Sequence, residues 1–467
     1  MKKLLLLLLL VLGLGAFNIF YNAGGQPVGE WDEARHVVSA VEMAQSGDYI
    51  VTRYAGEPDY WNAKPPLAVW GGALGYSVAE NKLLGVRLVS LLLSVLLAAA
   101  VFFYARRIAG VTAGLVASLL LLTAPSIVLK HAMRSADADI YLITFVTLGM
   151  LAFSLDRRWS AALGYAALGV GFLAKSFHAA PYGVVAFVYT LYLWRQQKLS
   201  LRDVFLLPFC FLIPILPWAL ARYMADGTRF FEVMFFYDVV KRSTEVIEGH
   251  DGSAFLYVLK LLSPFLVPIL WMAYLAWSQK TRDIFRRHHM VLLLLWVGIP
   301  LLMYSLARTR IGWYAYPMFA PVALMAGIAL VQAAERLSLR QRQAMVALVA
   351  VALLGNEARI VKKILNPTQD AVQRVMPQLS ARHGSRVLPV YLEPDNEIWR
   401  DYYEDTGQWR QHHYATALLL GNIRLRHGGR EAFRKETSEA FLISDGGRIT
   451  ERQPGVPQKL QMAGRGE

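Results

Sequence analysis

Apolar segments close to the roughly 20 residues that a helix needs to cross a bilayer recur from the N-terminus to about residue 355. Short polar stretches separate them. The pattern predicts about eleven membrane-spanning helices, at residues 3–21, 83–104, 111–130, 139–155, 159–174, 178–194, 203–221, 254–277, 290–306, 313–333 and 343–356. The chain is therefore predicted to be an all-α polytopic membrane protein over residues 1–356.

The connections between these segments predict their orientation. Short basic loops, such as those at 106–107 and 195–202, occur at every second crossing, on the side shared with Lys2 and Lys3. The positive-inside rule makes that side cytoplasmic. The outer segments are then 22–82, 131–138, 175–177, 222–253, 307–312 and 357–467. The tail is itself basic and the last predicted span is short, so a cytoplasmic tail is the alternative.

The N-terminal segment begins with Met-Lys-Lys and a run of leucines, like a signal peptide. No clear small-residue cleavage site precedes Tyr21, and many apolar segments follow. We therefore expect an uncleaved first span with a cytoplasmic N-terminus.

Composition agrees with this class. Hydrophobic residues make up 55% of the 467 residues and charged residues only 18%, below the roughly 25% of soluble domains. The net charge of +14 could suggest nucleic acid, but the placement of Lys and Arg follows membrane topology instead. The single Cys210 excludes an intrachain disulfide.

From about residue 357 the chain becomes polar with scattered aromatic residues. Residues 386–392 and 440–444 have strand character, and 396–406 and 412–420 have helical character. The sequence predicts a small α/β domain over 357–467 that lies outside the cytoplasm, with a frayed end from Gln453.

The first outer loop, 22–82, contains a helical pattern. Its small and apolar residues recur at helical spacing from Ala34 to Ala44, which predicts an amphipathic helix along the membrane surface from Asp32 to about Ser46. Asp32 and Glu33 then lie at its N-terminal end. They have two interpretations: a helix cap and a first-turn acid favoured by the helix dipole, or a general base for an acceptor hydroxyl or amine.

A second acidic pair, Asp137 and Asp139, lies next to an apolar segment. Carboxylates there are costly unless they are paired or functional. One interpretation is a helix cap with Arg134 as an ion-pair partner. The other is shared acid/base work or cation binding.

Several basic residues lie at the outer ends of the spans, where the positive-inside rule gives them no role. Arg and Lys there could bind a phosphate at the membrane surface, or they could reach lipid headgroups. Lys64 is distinguished by the rigid Pro65-Pro66 that follows it. The set is Lys64, Lys175, Lys241, Arg242, Arg308 and Arg310. His250 is better explained as a solvated loop residue, and no HExxH, Walker or GxSxG motif occurs.

Three motifs of the first loop carry a family resemblance. Trp31-Asp32-Glu33-Ala34-Arg35, Ser46-Gly47-Asp48-Tyr49 and Lys64-Pro65-Pro66-Leu67 resemble the first periplasmic loop of GT-C glycosyltransferases. The nearest group is the dolichyl-phosphate-mannose–protein mannosyltransferase superfamily, which includes the bacterial lipid A aminoarabinose transferases. Three later segments resemble the family in the same order, at 134–145, 171–175 and 308–321.

The resemblance implies an inverting glycosyltransferase of the bacterial inner membrane. Such an enzyme moves a hexosyl or pentosyl group from a polyprenyl-phosphate carrier to a periplasmic acceptor such as lipid A, another glycolipid, a polysaccharide or a protein. It implies Asp32, Glu33, Asp139 and its rival Asp137 as catalytic carboxylates. It implies Lys64, Lys175, Arg308, Arg310 and Tyr314 as donor-phosphate residues. The implied partners are the donor, the acceptor and membrane lipids.

Two departures from the family pattern limit what the resemblance implies. Ala63 stands where the lipid A enzymes usually have an acidic residue, so a metal site built on that acid is in doubt and His250 is only a weak candidate ligand. The resemblance implies no certain cofactor and leaves a divalent metal open. Ser176 replaces the usual glycine after Lys175.

Two alternative functions remain open. A flippase or transporter of polyprenyl-linked sugars would also need cations at the membrane surface, but it should carry charges along its spans. A surface-polysaccharide polymerase or ligase would use the same kind of donor.

Overall fold

The computed structural model describes residues 2–247, 249–277, 288–393, 409–444 and 446–452. The chain forms two compact units. The first comprises Met1–Ala23, Asp59–Ala68 and Val89–Leu365, and the second comprises Gly24–Pro58, Val69–Leu88 and Asn366–Glu467. We call them the membrane unit and the loop unit.

Helices dominate the membrane unit. They are α1 (Lys2–Phe20), most of α4 (Lys82–Leu122), α5 (Pro125–Leu129), α6 (Ala138–Phe153), α7 (Arg158–Lys175), α8 (Ala180–Arg195), α9 (Leu201–Leu206), α10 (Leu216–Asp226), α11 (Arg229–Phe235), α12 (Arg242–Thr244), α13 (Leu256–Trp277), α14 (His288–Leu306), α15 (Phe319–Ala334) and α16 (Leu339–Leu365). Irregular helical turns lie at Ser176–Ala179, Leu207–Leu212, Phe236–Lys241 and Gly312–Met318.

Among the described residues, six helices are long and apolar enough to cross a membrane, or seven if the bent pair at Leu201–Phe211 and Leu216–Asp226 forms one span. Shorter apolar helices occur at Leu67–Val78, Ala138–Phe153 and Met290–Leu306. The polytopic helical class is confirmed.

Two span boundaries differ from those predicted. The predicted spans 83–104 and 111–130 lie largely in α4, which is interrupted at Ala109 and Gly110 where Gly110 has φ 83°. The last span was predicted to end at residue 356, but α16 continues to Leu365. Its final turns carry Lys362 and Lys363, whose charge hid the helical continuation from a hydropathy pattern.

The loop unit begins with α2 (Asp32–Ser46), which has the bounds predicted for the amphipathic helix. Gly47, with φ 72°, ends it in the left-handed conformation that glycine adopts without strain. The hairpin β1 (Arg53–Tyr54) and β2 (Glu57–Pro58) and the helix α3 (Leu67–Val78) follow. A Cβ on Gly75 would lie 2.0 Å from the carbonyl oxygen of Gly85, so α3 approaches the start of α4 more closely than any side chain would allow.

The C-terminal part of the loop unit is an α/β fold. Its helices are α17 (Ala371–His383), α18 (Gln411–Leu420) and α19 (Gly429–Lys435). Its sheet has the order β4 (Ile423–Arg426), β3 (Leu388–Glu393), β5 (Ala440–Ser444) and β6 (Ile449–Arg452), with β3 parallel to both neighbours and β6 antiparallel to β5. Met376, Val390 and Ile443 form part of its buried core. The two strands and the helix predicted at 412–420 are present, and the helix predicted at 396–406 lies outside the described residues.

The C-terminal segment packs on the first outer loop inside this unit. The Tyr414 hydroxyl donates to Glu42 Oε1 over 2.9 Å, and Gln373 Nε2 donates to the carbonyl oxygen of Val28 over 2.9 Å. The segment therefore shares a unit with the loop that carries Asp32 and Glu33.

Candidate active site

Asp32 is the first residue of α2 and not its cap. The capping position belongs to Trp31, whose φ of 65° is unusual for a residue with a side chain and which makes no side-chain cap bond. The carbonyl oxygen of Asp32 accepts a hydrogen bond from His36 Nδ1 over 2.7 Å. The capping interpretation of Asp32 is therefore wrong, and its carboxylate lies half-buried at the helix start.

Glu33 is buried and paired. Its two carboxylate oxygens accept hydrogen bonds from Arg87 Nε and Nη2, at 2.7 and 3.0 Å. The backbone N–H of Gly29 donates to the same carboxylate over 2.7 Å. Arg87 also donates to the carbonyl oxygens of Gln26 and Pro27. Glu33 and Arg87 thus fix the chain that leads into α2.

The second acidic pair divides into two roles. Asp137 caps α6, since its side chain accepts from the N–H of Ala138, and His131 Nδ1 lies 2.9 Å from its other oxygen. The capping interpretation of Asp137 is confirmed. Asp139 is buried and forms an ion pair with the equally buried Lys175. Two of the predicted site residues therefore meet directly.

Arg134 is held by backbone carbonyl oxygens. Its guanidinium donates to three carbonyl oxygens at the end of α1, those of Asn18, Ile19 and Tyr21, over 2.6–3.1 Å. It fixes the segment before Asp137 to the first span.

Lys64 lies in a rigid turn of the membrane unit. Asp59 Oδ1 accepts from the N–H groups of Trp61 and Asn62, and the Lys64 N–H donates to the Asn62 carbonyl oxygen. Pro65 and Pro66 follow. Within the described part of the chain, the half-buried Lys64 ammonium has no hydrogen-bond or ion-pair partner.

Three cations converge on His178. The charges of Lys175, Arg242 and Lys64 all act on its buried ring. Tyr314 packs edge-on against that ring with centroids 4.4 Å apart, and its hydroxyl accepts from Arg242 Nη1 over 3.1 Å. Lys64, Lys175 and Tyr314, all predicted to contact the donor, therefore lie around His178 in the membrane unit. We call Lys64, Lys175 and Arg242 the cation cluster, in which Lys175 is paired with Asp139.

Arg308 and Arg310 differ from these residues. Arg308 is exposed. The guanidinium of Arg310 donates to the carbonyl oxygens of Ser305 and Gly252, at 3.2 and 2.9 Å. Arg310 thus ties the last turn of α14 to the segment that precedes α13.

His250 lies edge-on to Trp313, with ring centroids 6.3 Å apart. His131 also contacts Trp313: the two rings are stacked, with their centroids 4.0 Å apart. Among the residues that the structure describes, His250 belongs to no group of three side chains with metal-ligand spacing.

Three side chains of the site were missed as functional candidates: Arg87, His131 and His178. Arg242 was among the basic residues considered for phosphate binding. Arg87 gave no local signal, because its partner Glu33 is 54 residues away. His131 had a weak one, since its partner Asp137 lies only six residues after it.

Three of the seven non-glycine residues with positive φ in the described chain lie at the candidate site. Trp31, His131 and Ser176 have φ of 65°, 56° and 45°, a conformation that costs a non-glycine residue on the order of 1–3 kcal/mol. Each is, or directly adjoins, a residue described above. Such strain persists where the surrounding structure enforces it, and it occurs preferentially at functional sites.

Comparison with known proteins finds a matching family model and similar relatives. Residues 63–220 match the family model described as dolichyl-phosphate-mannose–protein mannosyltransferase. The chain is also 30% identical over 348 residues to the undecaprenyl phosphate-alpha-4-amino-4-deoxy-L-arabinose arabinosyl transferase of Pseudomonas paraeruginosa, covering 70% of this chain and 60% of that protein. The chain spans about 60% of the length of the curated relatives it matches.

Solved structures with a similar fold are also found. ArnT from Cupriavidus metallidurans, solved bound to undecaprenyl phosphate, aligns with a TM-score of 0.70 at 17% identity and covers 95% of this chain and 93% of its own. The archaeal oligosaccharyltransferase AglB from Archaeoglobus fulgidus, solved with an inhibitory peptide and a dolichol-phosphate, aligns with a TM-score of 0.52 at 12% identity, covering 89% and 64%. The fold is like that of ArnT, and the predicted helical membrane class with a small α/β part is confirmed.

The match to the superfamily model contains four of the predicted site residues: Lys64, Asp137, Asp139 and Lys175. Asp32, Glu33 and the late segment with Arg308 and Tyr314 lie outside it.

Proposed function

We propose that this chain is an integral-membrane glycosyltransferase of the bacterial inner membrane. It would move a sugar, with inversion, from a polyprenyl-phosphate carrier to an extracytoplasmic acceptor that is a lipid, a glycan or a protein. The observation that carries the proposal is Lys64, a half-buried ammonium that has no counter-ion among the described residues. A phosphate group would supply that counter-ion.

The cation cluster is the proposed donor-phosphate site. A carrier phosphate is an anion that Lys can bind as a point charge and Arg through directed N–H donors. Lys64 and Arg242 are assigned to phosphate contact, and Tyr314 orients Arg242 through its hydroxyl. The solved ArnT relative binds undecaprenyl phosphate, an anion of this kind. Arg308, which is exposed, is assigned to the entry side of the site, and Arg310 to the support of its loop.

The carboxylates are assigned different tasks. Asp32 is the proposed general base, because it is the half-buried first residue of α2 and directly follows the strained Trp31. Glu33 positions it through the buried pair with Arg87. Asp139 and Asp137 are proposed to fix Lys175 and His131, their partners in the membrane unit.

The chemistry follows from these charges. The bond between the sugar's anomeric carbon and a phosphate oxygen breaks, and the electron pair stays on the phosphate, whose growing charge the cations stabilise. The acceptor hydroxyl or amine forms the new bond from the opposite face while Asp32 takes its proton. The polyprenyl phosphate leaves as an anion, so no nucleotide is consumed in this step.

We propose eleven crossings, with a cytoplasmic N-terminus. The membrane domain, predicted over 1–356, continues to Leu365 through α16. The first loop, 22–82, and the C-terminal domain, 357–467, are assigned to the periplasm. The close packing of the C-terminal segment on that loop supports a shared compartment for them.

The test uses the detergent-purified full chain, radiolabelled polyprenyl-phosphate sugars and a membrane-lipid extract as acceptor. Undecaprenyl-phosphate-linked 4-amino-4-deoxy-L-arabinose is the first donor, since the curated relatives are named for it. We expect label to move to the extract with the wild-type chain and not with Asp32→Asn. Lys64→Ala should raise the KM for the donor at least ten-fold.

Matched controls separate chemistry from folding. Asp48→Asn changes an aspartate of the same loop that pairs with Arg53, and Lys130→Ala changes an exposed lysine of the membrane unit. Both should retain transfer. Full activity of Asp32→Asn would refute the base assignment. Tight donor binding without transfer to any acceptor in the extract would favour the transporter alternative.

A further inference from the structure

Two histidines of the loop unit converge on one carboxylate oxygen. His412 Nε2 and His413 Nε2 lie 2.5 and 2.9 Å from Asp370 Oδ2. Both imidazoles are almost fully buried, with 4% and 3% of each residue exposed. The ligand atoms of the three side chains all lie within 4.8 Å of one another.

The Asp370 carboxylate is held in place for this contact. Asp370 caps α17, and its Oδ1 accepts from the N–H of Gln373 over 2.8 Å. That bond fixes the carboxylate plane and leaves Oδ2 directed at the two rings. A metal-ligating carboxylate is commonly held by a hydrogen bond of this kind.

The far side of the His412 ring supplies a second, independent observation. Its Nδ1 is buried and makes no hydrogen bond within the described residues, although Glu30 Oε1 lies 3.7 Å away. If Nε2 carries the proton that it donates to Asp370, Nδ1 is left as a buried acceptor facing a carboxylate. Moving that proton to Nδ1 would let it face Glu30 and would free the Nε2 lone pair for a cation.

We infer that Asp370, His412 and His413 form a site for a divalent transition metal ion of the zinc class. Two imidazole nitrogens and one carboxylate oxygen are a donor set that suits zinc and neighbouring metals. Zinc binds such atoms at about 2.0–2.2 Å, which spaces its ligands by roughly 3.3 Å, so side-chain shifts of under about 1 Å would admit it. Glu30 then completes the carboxylate–histidine–metal arrangement.

The site has a structural consequence inside the loop unit. Asp370 begins α17 and the two histidines begin α18, while Glu30 lies two residues before Asp32. A metal ion there would link two helices of the C-terminal segment to the strained approach to α2. This consequence for catalysis rests on the proposed function, whereas the binding of metal does not.

Cobalt titration tests the site. The full chain is purified in detergent with a tag that contains no histidine, stripped with a chelator and titrated with Co²⁺, whose visible absorption reports ligand geometry. We expect saturation at one equivalent per chain and displacement by Zn²⁺. Asp370→Asn keeps an oxygen that can cap α17 and should weaken binding at least ten-fold, as should His413→Gln. Glu30→Gln should weaken it by about 10- to 100-fold.

His383→Gln is the control. This histidine of α17 bonds the carbonyl of Leu379 in its own helix, and its loss should leave binding unchanged. A wild-type chain without saturable Co²⁺ binding near one equivalent overturns the inference, and so does an Asp370→Asn chain that binds as tightly as the wild type. If Asp370→Asn fails to fold, the wild-type titration and His413→Gln decide.

The metal-site proposal and the glycosyltransferase proposal can be refuted independently of each other. Chelation should lower transfer, and added Zn²⁺ should restore it. A chain that binds Co²⁺ with the expected variant pattern but transfers no sugar refutes the glycosyltransferase proposal and keeps the metal site. A chain that transfers sugar equally well with and without chelator, and binds no Co²⁺, refutes the metal site and keeps the glycosyltransferase proposal.

Discussion

The Glu33–Arg87 pair provides the sharpest test of how the first outer loop is held. The two side chains are 8% and 3% exposed and meet through two charge-assisted hydrogen bonds of 2.7 and 3.0 Å. Arg87→Met keeps most of the apolar stem and removes the charge. It leaves the Glu33 carboxylate buried, with the Gly29 N–H still donating to it.

The expected loss is large because the remaining charge stays buried. Removing one partner of a buried ion pair typically costs about 3–5 kcal/mol. The lost bonds to the Gln26 and Pro27 carbonyl oxygens act in the same direction. At about 1.36 kcal/mol per factor of ten, local opening of the chain leading into α2 should become roughly 150- to 5,000-fold more frequent.

Hydrogen exchange measures this opening directly. Peptides covering residues 24–46 of the detergent-purified chain should lose protection in Arg87→Met by that factor. The double variant Glu33→Gln with Arg87→Met removes both charges, so it should be less destabilised than the sum of its single variants.

An exposed pair in the same loop is the matched control. Arg53 and Asp48 lie 3.3 Å apart with about a third of each side chain exposed. Such pairs contribute about 1 kcal/mol or less, so Arg53→Gln should change exchange by less than roughly five-fold. If Arg87→Met changes exchange no more than Arg53→Gln, then the pair is solvated and the positioning role of Glu33 is wrong.

Two further predictions test the backbone and the C-terminal fold. Ser176 has φ 45° and ψ −132°, a conformation suited to glycine, so Ser176→Gly should raise the thermal unfolding temperature, with a gain of about 1 kcal/mol after the entropic cost of glycine. The Tyr391 hydroxyl donates to Glu436 over 2.8 Å, and this bond, together with hydrogen bonds from Ser438 and Thr437, lowers the pKa of that carboxyl to about 2 from 4.5. A lowered folded-state pKa stabilises above the unfolded value and is lost as pH falls towards 2. The unfolding-temperature gap between wild type and Tyr391→Phe should therefore be present at pH 7 and shrink below about pH 4.5, and a gap that does not change with pH would refute the charge dependence.

Local patterns in the sequence were sufficient for the secondary structure of the site. The bounds of α2 follow from helical spacing between Ala34 and Ala44 together with the break at Gly47, which the structure places in the left-handed conformation. The strand at 440–444 follows from its apolar run between polar turns. These signals lie within a few residues of the element that they define, and so one chain can reveal them.

The pairing of charges required the fold. Glu33 and Arg87 are 54 residues apart, and Asp139 and Lys175 are 36 apart. Nothing near Glu33 in the sequence indicates a guanidinium, and a carboxylate at a helix start has the same local pattern whether it caps, pairs or reacts. The fold separates these cases by burial and partner, which is why the sequence left Asp137 and Asp139 as rivals.

The family's usual glycine after Lys175 gives a physical reason for one departure noted in the sequence. Ser176 occupies a backbone conformation that glycine adopts freely, directly after the lysine that pairs with Asp139. The surrounding structure must hold the Ser176 backbone in this conformation, because a relaxed backbone at Ser176 would move Lys175. Lys175 is one of the three cations acting on His178, so relaxing the turn would also disturb the cation cluster. The strain at Ser176, the buried Lys175–Asp139 pair beside it and the Lys64 ammonium thus support one requirement, a fixed arrangement of charged side chains in the membrane unit.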